Sequence, residues 1–172
     1  TPNSWIAIGR AESLVIAKNE KLTSRSVGDG RLRVKALSGS TLRVAGGSWL
    51  LPNRSDLGAD VTSVIDQGIG HDGLLIIENL QTFDDIHKVS ASVMRNLTIK
   101  DPLVVYRGDA QGGARTDAVH CLINESHLPV VAFVDFDPAG MIIASSLPRL
   151  DSVLTPPLQE LANIIQSRGI TD

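Results

Sequence analysis

The sequence predicts an α/β protein, a parallel sheet with helices on both faces, preceded by a small β-rich N-terminal segment. Three observations predict it. Apolar runs at residues 74–77, 103–106 and 130–134 are short and unbroken, as strands buried on both faces are. Stretches with helical spacing separate them, and strand–helix alternation is the pattern of a parallel sheet covered on its two sides. Ahead of residue 70 the rhythm is instead that of short strands with period two.

From Ser13 to Pro52 the pattern is strand-like. Leu32, Val34 and Ala36 alternate with Arg31, Arg33 and Lys35; Ser38, Gly39 and Ser40 make a turn; Leu42 and Val44 alternate with Thr41, Arg43 and Ala45. This reads as a hairpin with one apolar and one basic face. Gly46 and Gly47 turn the chain into a third strand over 48–51, closed by Pro52. Arg31, Arg33, Lys35 and Arg43 could track a phosphate backbone; the commoner role of such a face is to be solvated. Residues 53–70, rich in Gly, Asp and Ser, form a connection with one short helix near 61–65 and mark the boundary between a segment 1–70 and a domain 71–172.

Beyond Gly73 the first buried strand ends in Glu78 and Asn79. Thr82 and Asp85 resemble a capping box, and Ile86, Val89, Val93 and Leu97 recur at helical spacing, predicting one amphipathic helix. The second strand, ending at Tyr106, exits into a glycine-rich loop with Gly108, Asp109, Gly112 and Gly113, and a helix carrying Ala118, Val119, Leu122 and Ile123 follows. The third strand leads into Asp135-Phe136-Asp137-Pro138-Ala139-Gly140 and a helix to about Leu147. A short strand at 152–154 and a helix opened by Pro156 and Pro157 complete the order.

The totals bound the function. A chain of 172 residues suffices for one domain with a small addition. No apolar run approaches the roughly 20 residues of a membrane helix and no leader pattern opens the chain, which points to a cytoplasmic protein with no membrane partner. Cys121 is the only cysteine, excluding an internal disulfide, and His71, His87, His120 and His127 lack metal-motif spacing. Thr1 in place of methionine suggests a processed chain or an excised piece of something longer. The net charge of −3 conceals an asymmetry: residues 1–70 hold nine Lys/Arg against six Asp/Glu, and residues 71–172 hold seven against thirteen. An acidic domain grips a duplex poorly unless bound cations neutralise it where phosphate approaches.

The chemistry-bearing residues lie at strand ends. In parallel sheets functional groups gather at the carboxyl ends of the strands, where Glu78, Gly108 and the pair Asp135/Asp137 all fall. If the extended geometry lasts through Asp137, the two aspartates project to one side; such a pair suits a hard divalent cation. Asp137 before Pro138 is equally a helix N-cap.

A glutamate after the first strand, a glycine turn after the second and Asp-x-Asp after the third resemble the Toprim domain. The motifs Glu78-Asn79-Leu80-Gln81-Thr82-Phe83, Gly112-Gly113 and Asp135-Phe136-Asp137-Pro138-Ala139-Gly140 are most similar to those of the Wadjet plasmid-defence nuclease subunit and of topoisomerase VI A-like proteins, over about residues 72–172. The resemblance implies a Rossmann-like Toprim fold and magnesium-dependent cleavage of DNA phosphodiester bonds, with manganese as a possible substitute. It also implies Asp135 and Asp137 as metal ligands, Glu78 as general acid/base or further ligand, and a homodimer or a complex with a condensin-like ATPase. Tyr106 is the only tyrosine and ends a sheet strand, so the covalent nucleophile of topoisomerases has no counterpart here; a type IIB topoisomerase-like subunit would need one from outside this sequence. Asp109 beside Gly108 departs from the pattern and either adds a ligand or caps a turn. Arg115 is a candidate phosphate contact or a surface salt bridge. Phosphatases that form an aspartyl-phosphate place Asp-x-Asp at the start of the domain with a hydroxyl residue where Ala139 stands. A non-catalytic DNA-binding or assembly module is the remaining alternative.

Overall fold

The computed structural model describes residues 30–108 and 115–167. Asp109, Gly112 and Gly113 of the glycine-rich loop lie outside the described residues, as do residues 1–29. Among the described residues eight strands are formed: β1 (Arg31–Lys35), β2 (Leu42–Val44), β3 (Gly47–Trp49), β4 (Leu57–Asp60), β5 (Gly73–Ile77), β6 (Pro102–Tyr106), β7 (Val130–Phe133) and β8 (Ser152–Val153). The α-helices are α1 (Val61–Gln67), α2 (Leu80–Asp84), α3 (Ala91–Met94), α4 (Thr116–Ser126), α5 (Pro138–Ser146) and α6 (Leu158–Ser167), with a 3-10 turn at Ile86–Lys88.

Six strands make one mixed, mostly parallel sheet in the order β4-β1-β6-β5-β7-β8. The parallel part joins β6, β5, β7 and β8; in it Ile77 stands opposite Tyr106 on one side and Phe133 on the other. Every residue of β5 and β6 is buried, which is why these strands read as continuous apolar runs. Alternate residues feed two cores. Leu74, Ile76, Leu103, Val105, Val130 and Ala132 share one face with Val61 and Val64 of α1, Val119 and Leu122 of α4 and Ala144 of α5. Leu75, Ile77, Val104, Tyr106 and Val131 share the other with Phe83, Ile86 and Val93. The sheet is therefore an α/β layer with helices on both faces.

The expected hairpin of residues 31–45 does not form. β1 pairs antiparallel with β4 and with β6, whereas β2 pairs with β3 in a separate two-stranded sheet. The turn chemistry explains the second pairing: Ala45 (φ 48°) and Gly46 (φ 71°) both take positive φ, as a two-residue hairpin loop requires. The main sheet thus crosses residue 70, since β1 and β4 precede it. The single helix expected through Ile86, Val89, Val93 and Leu97 is also broken. α2 is capped by Asn79, whose side chain accepts from the Thr82 N–H, and a second start occurs at Ser90, which caps α3 through the Val93 N–H. Lys35 helps to end α2: its ammonium, buried to 4% exposure, donates to the carbonyls of Phe83 (3.0 Å) and Asp84 (3.3 Å). Cationic donors are favoured at such carbonyl-rich ends.

Candidate functional site

The chain leaves β5 for β6 on one side and returns to the other side of β5 as β7. The two connections use opposite faces, α2 and α3 packing on one and α4 on the other. Between the carboxyl ends of β5 and β7 this leaves a topological switch point, the place where open α/β sheets hold their ligands.

Glu78 and the Asp135 loop meet there. The Glu78 N–H donates to the Phe133 carbonyl (3.1 Å), and the Asp135 N–H donates to Glu78 Oε2 (3.3 Å), so residues 57 apart in sequence are in contact. Glu78 is half-buried, while Asp135 and Asp137 are exposed. The regular strand ends at Phe133, short of both aspartates. The Asp137 N–H folds back to the Asp135 carbonyl (2.9 Å), and the Asp137 carboxylate caps α5 by accepting from the Gly140 N–H (2.7 Å). Pro138 in the first turn fixes this entry. Convergence of the aspartates by simple strand alternation is thus replaced by a tight turn, because the helix starts immediately after them.

Both motifs acquire local reasons. In the glutamate hexapeptide, Asn79 caps α2 and Phe83 is a fully buried anchor between Lys35 and Tyr106, the two rings 5.8 Å apart at their centroids. In the aspartate motif, a Cβ on Gly140 would lie 2.0 Å from the Asp135 carbonyl oxygen, so a glycine allows α5 to start against the loop.

The candidate basic residues divide. Arg33 forms a two-pronged pair with Asp56 (2.9 and 2.7 Å) and lies over the rings of Phe83 and Tyr106. Its hydrogen bond to Asp56 raises its pKa above the ordinary arginine value. Burial lowers the pKa of Lys35. Arg43 donates to the Gly70 carbonyl (2.9 Å) and pairs with Asp101 at the opposite end of the sheet, beside His71, whose Nε2 accepts from the Arg43 N–H (3.0 Å). These three serve the fold. Arg31 is exposed, and its carbonyl accepts from the Arg115 N–H (3.3 Å), which places both arginines near the carboxyl end of β6; Arg115 also reaches Asp117 (3.4 Å). Gly108 follows β6 with φ 88°, the left-handed turn that favours glycine. Tyr106 is buried to 4% exposure. A residue that sequence reasoning passed over stands beside Glu78: the Arg107 N–H donates to the Ile77 carbonyl (2.8 Å). A lone arginine directly after a buried strand was its signal.

Among the described residues no group of three or more His, Cys, Asp or Glu side chains is gathered to hold a metal ion. Magnesium does not demand one, since it commonly takes one or two carboxylates and completes its shell with water and substrate phosphate. The oxygen-only donors at this edge, Glu78 and Asp135 with the uncapped oxygen of Asp137, fit such an ion chemically. No helix among the described residues is long and apolar enough to cross a membrane.

Fold and site together define an α/β domain with carboxylates at the switch point of a largely parallel sheet. Residues 29–169 match the family described as Domain of unknown function (DUF7281), and the chain belongs to that family. No curated protein matches the chain, and no solved structure does.

Proposed function

We propose that this chain is a Toprim-type catalytic domain that cleaves DNA phosphodiester bonds with magnesium, or manganese in its place, within a larger DNA-processing or plasmid-defence assembly. The observation that carries the reading is the contact between the Glu78 carboxylate and the Asp135 N–H, which joins the two motifs of the resemblance at one sheet edge. Asp135 and Asp137 would hold the ion, with water and substrate phosphate completing its shell. Bound there, it would stabilise the charge that develops on the phosphoryl and leaving oxygens. Glu78, half-buried beside Asp135, would take or return a proton or add a further ligand. The Asp135 N–H orients that carboxylate, and the α5 cap holds the aspartate turn in place.

Arg31 and Arg115, near the carboxyl end of β6, are the positions from which a DNA backbone would be gripped. The few cations at this edge favour a homodimer or a partner such as a condensin-like ATPase. A topoisomerase-like reading needs a tyrosine from elsewhere, because Tyr106 is buried in the core.

The experiment is cleavage of supercoiled and linear DNA with and without magnesium or manganese, comparing wild type with Glu78→Gln and Asp135→Asn. Metal-dependent cutting that falls by at least about 100-fold in both variants is the expected result. Cutting that survives both changes would refute the catalytic assignment. A wild type inert with each metal and DNA form, alone and with partner proteins, would favour a binding or assembly module.

A further inference from the structure

Arg107 is the first residue after β6, and its N–H continues the ladder to Ile77, so it stands one strand away from Glu78. The residue is half-buried, and its Nε is enclosed without a hydrogen-bond partner. Among the described residues its side chain enters no hydrogen bond or ion pair, although Glu78 is its neighbour across the strands. Other arginines show how the fold treats a structural guanidinium: Arg33 is locked to Asp56, Arg43 to Gly70 and Asp101, and Arg149 to the Ile123 carbonyl. An enclosed, unsatisfied charged donor is destabilising, and a bound anion beside it would supply the missing partner. Gly108, with φ 88°, turns the main chain immediately behind it and leaves the arginine at the edge of the sheet.

We infer that Arg107 is an anion-binding residue that takes the non-bridging oxygens of a nucleic-acid phosphodiester. The guanidinium fork matches two phosphate oxygens at once. With the carboxylates of Glu78 and Asp135 on one side and Arg107 on the other, the edge offers a cation-holding half and an anion-holding half, and a phosphodiester spans both. This inference deepens the proposed nuclease reading and rests on it for the identity of the anion.

The test separates the two. Binding of a short fluorescent DNA duplex is measured in EDTA over a range of salt for wild type, Arg107→Ala and Arg107→Lys, with urea unfolding as the control for folding. Arg107→Ala weakens binding about tenfold or more and lowers the slope of log affinity against log salt by about one. Arg107→Lys keeps most of the affinity but loses cleavage about tenfold, because the charge remains and the fork is gone. If the alanine variant does not fold, titration of wild type with inorganic phosphate takes its place, and a shift of the Arg107 Nε resonance is expected. Unchanged affinity and salt slope in Arg107→Ala, or an unmoved resonance, overturns the inference even if Glu78→Gln abolishes cutting. Weakened binding in a protein that never cuts DNA keeps the anion site and refutes only the nuclease reading.

Discussion

Gly140→Ala tests whether the aspartate turn and α5 are built as one piece. The added Cβ would lie 2.0 Å from the Asp135 carbonyl oxygen and 3.0 Å from its carbon. Carbon–oxygen contacts in proteins begin near about 3.3 Å, so the loop and the first turn of α5 must part by more than about 1 Å. Backbone on both sides leaves no flexible side chain to yield. Overpacking of this kind costs about 1–3 kcal/mol. Separation also stretches the 2.7 Å bond from the Gly140 N–H to Asp137, a cap worth about 1 kcal/mol. Alanine's better helix propensity returns about 1 kcal/mol at most. The net is a loss of about 1–3 kcal/mol, and at about 2–4 °C per kcal/mol for a chain of this size the melting midpoint falls by about 4–8 °C for a central value. Thermal unfolding followed by circular dichroism measures it. A variant that melts within about 1 °C of wild type would show that the steric argument is wrong.

Three further outcomes are expected. Asn79→Ala removes the cap of α2 and lowers stability by about 0.5–2 kcal/mol in urea unfolding; an unchanged midpoint would mean that Phe83 alone anchors this turn. Asp137→Asn keeps a good N-cap and leaves stability within a few tenths of a kcal/mol, whereas Asp137→Ala costs about 1 kcal/mol. Loss of cleavage in the stable asparagine variant would separate ligation from capping, and equal stability losses in both would contradict the cap. Lys35→Met probes the buried ammonium. Burial lowers its folded pKa, so between that value and the ordinary value of about 10.5 the unfolded chain binds more protons, and this contribution to stability rises with pH. Wild-type stability minus that of Lys35→Met should increase from about pH 8 to about pH 11, and a flat difference would refute the assignment.

The central parallel strands β5, β6 and β7 were legible because burial on both faces makes them almost continuously apolar. The cap of α5 was legible for a local reason, Asp137 followed by Pro138. What the sequence concealed depends on distant partners. β4 is Leu-Gly-Ala-Asp, a poor strand former that is extended because β1 lies beside it. The helical spacing from Ile86 to Leu97 was real as burial, yet Lys35, reaching in from β1, takes the carbonyls at the end of α2. The partners of the basic row were hidden in the same way: Arg33 and Arg43 find acids at Asp56 and Asp101, far away in sequence. Contact between Glu78 and the Asp135 loop was foreseeable from strand-end placement alone, but the tight turn from the Asp137 N–H to the Asp135 carbonyl, which ends the extended geometry ahead of both aspartates, was not.

The antiparallel pairing of β1 with β6 has a practical corollary. Trimming the protein back to residue 71 would strip the flank of β6 of its neighbour, uncover Tyr106 and Phe83 where Arg33 and Lys35 now lie across them, and leave a bare ladder edge open to other chains. Such a shortened protein should self-associate, and the motif-bearing half should behave well in solution only when residues 31–60 travel with it.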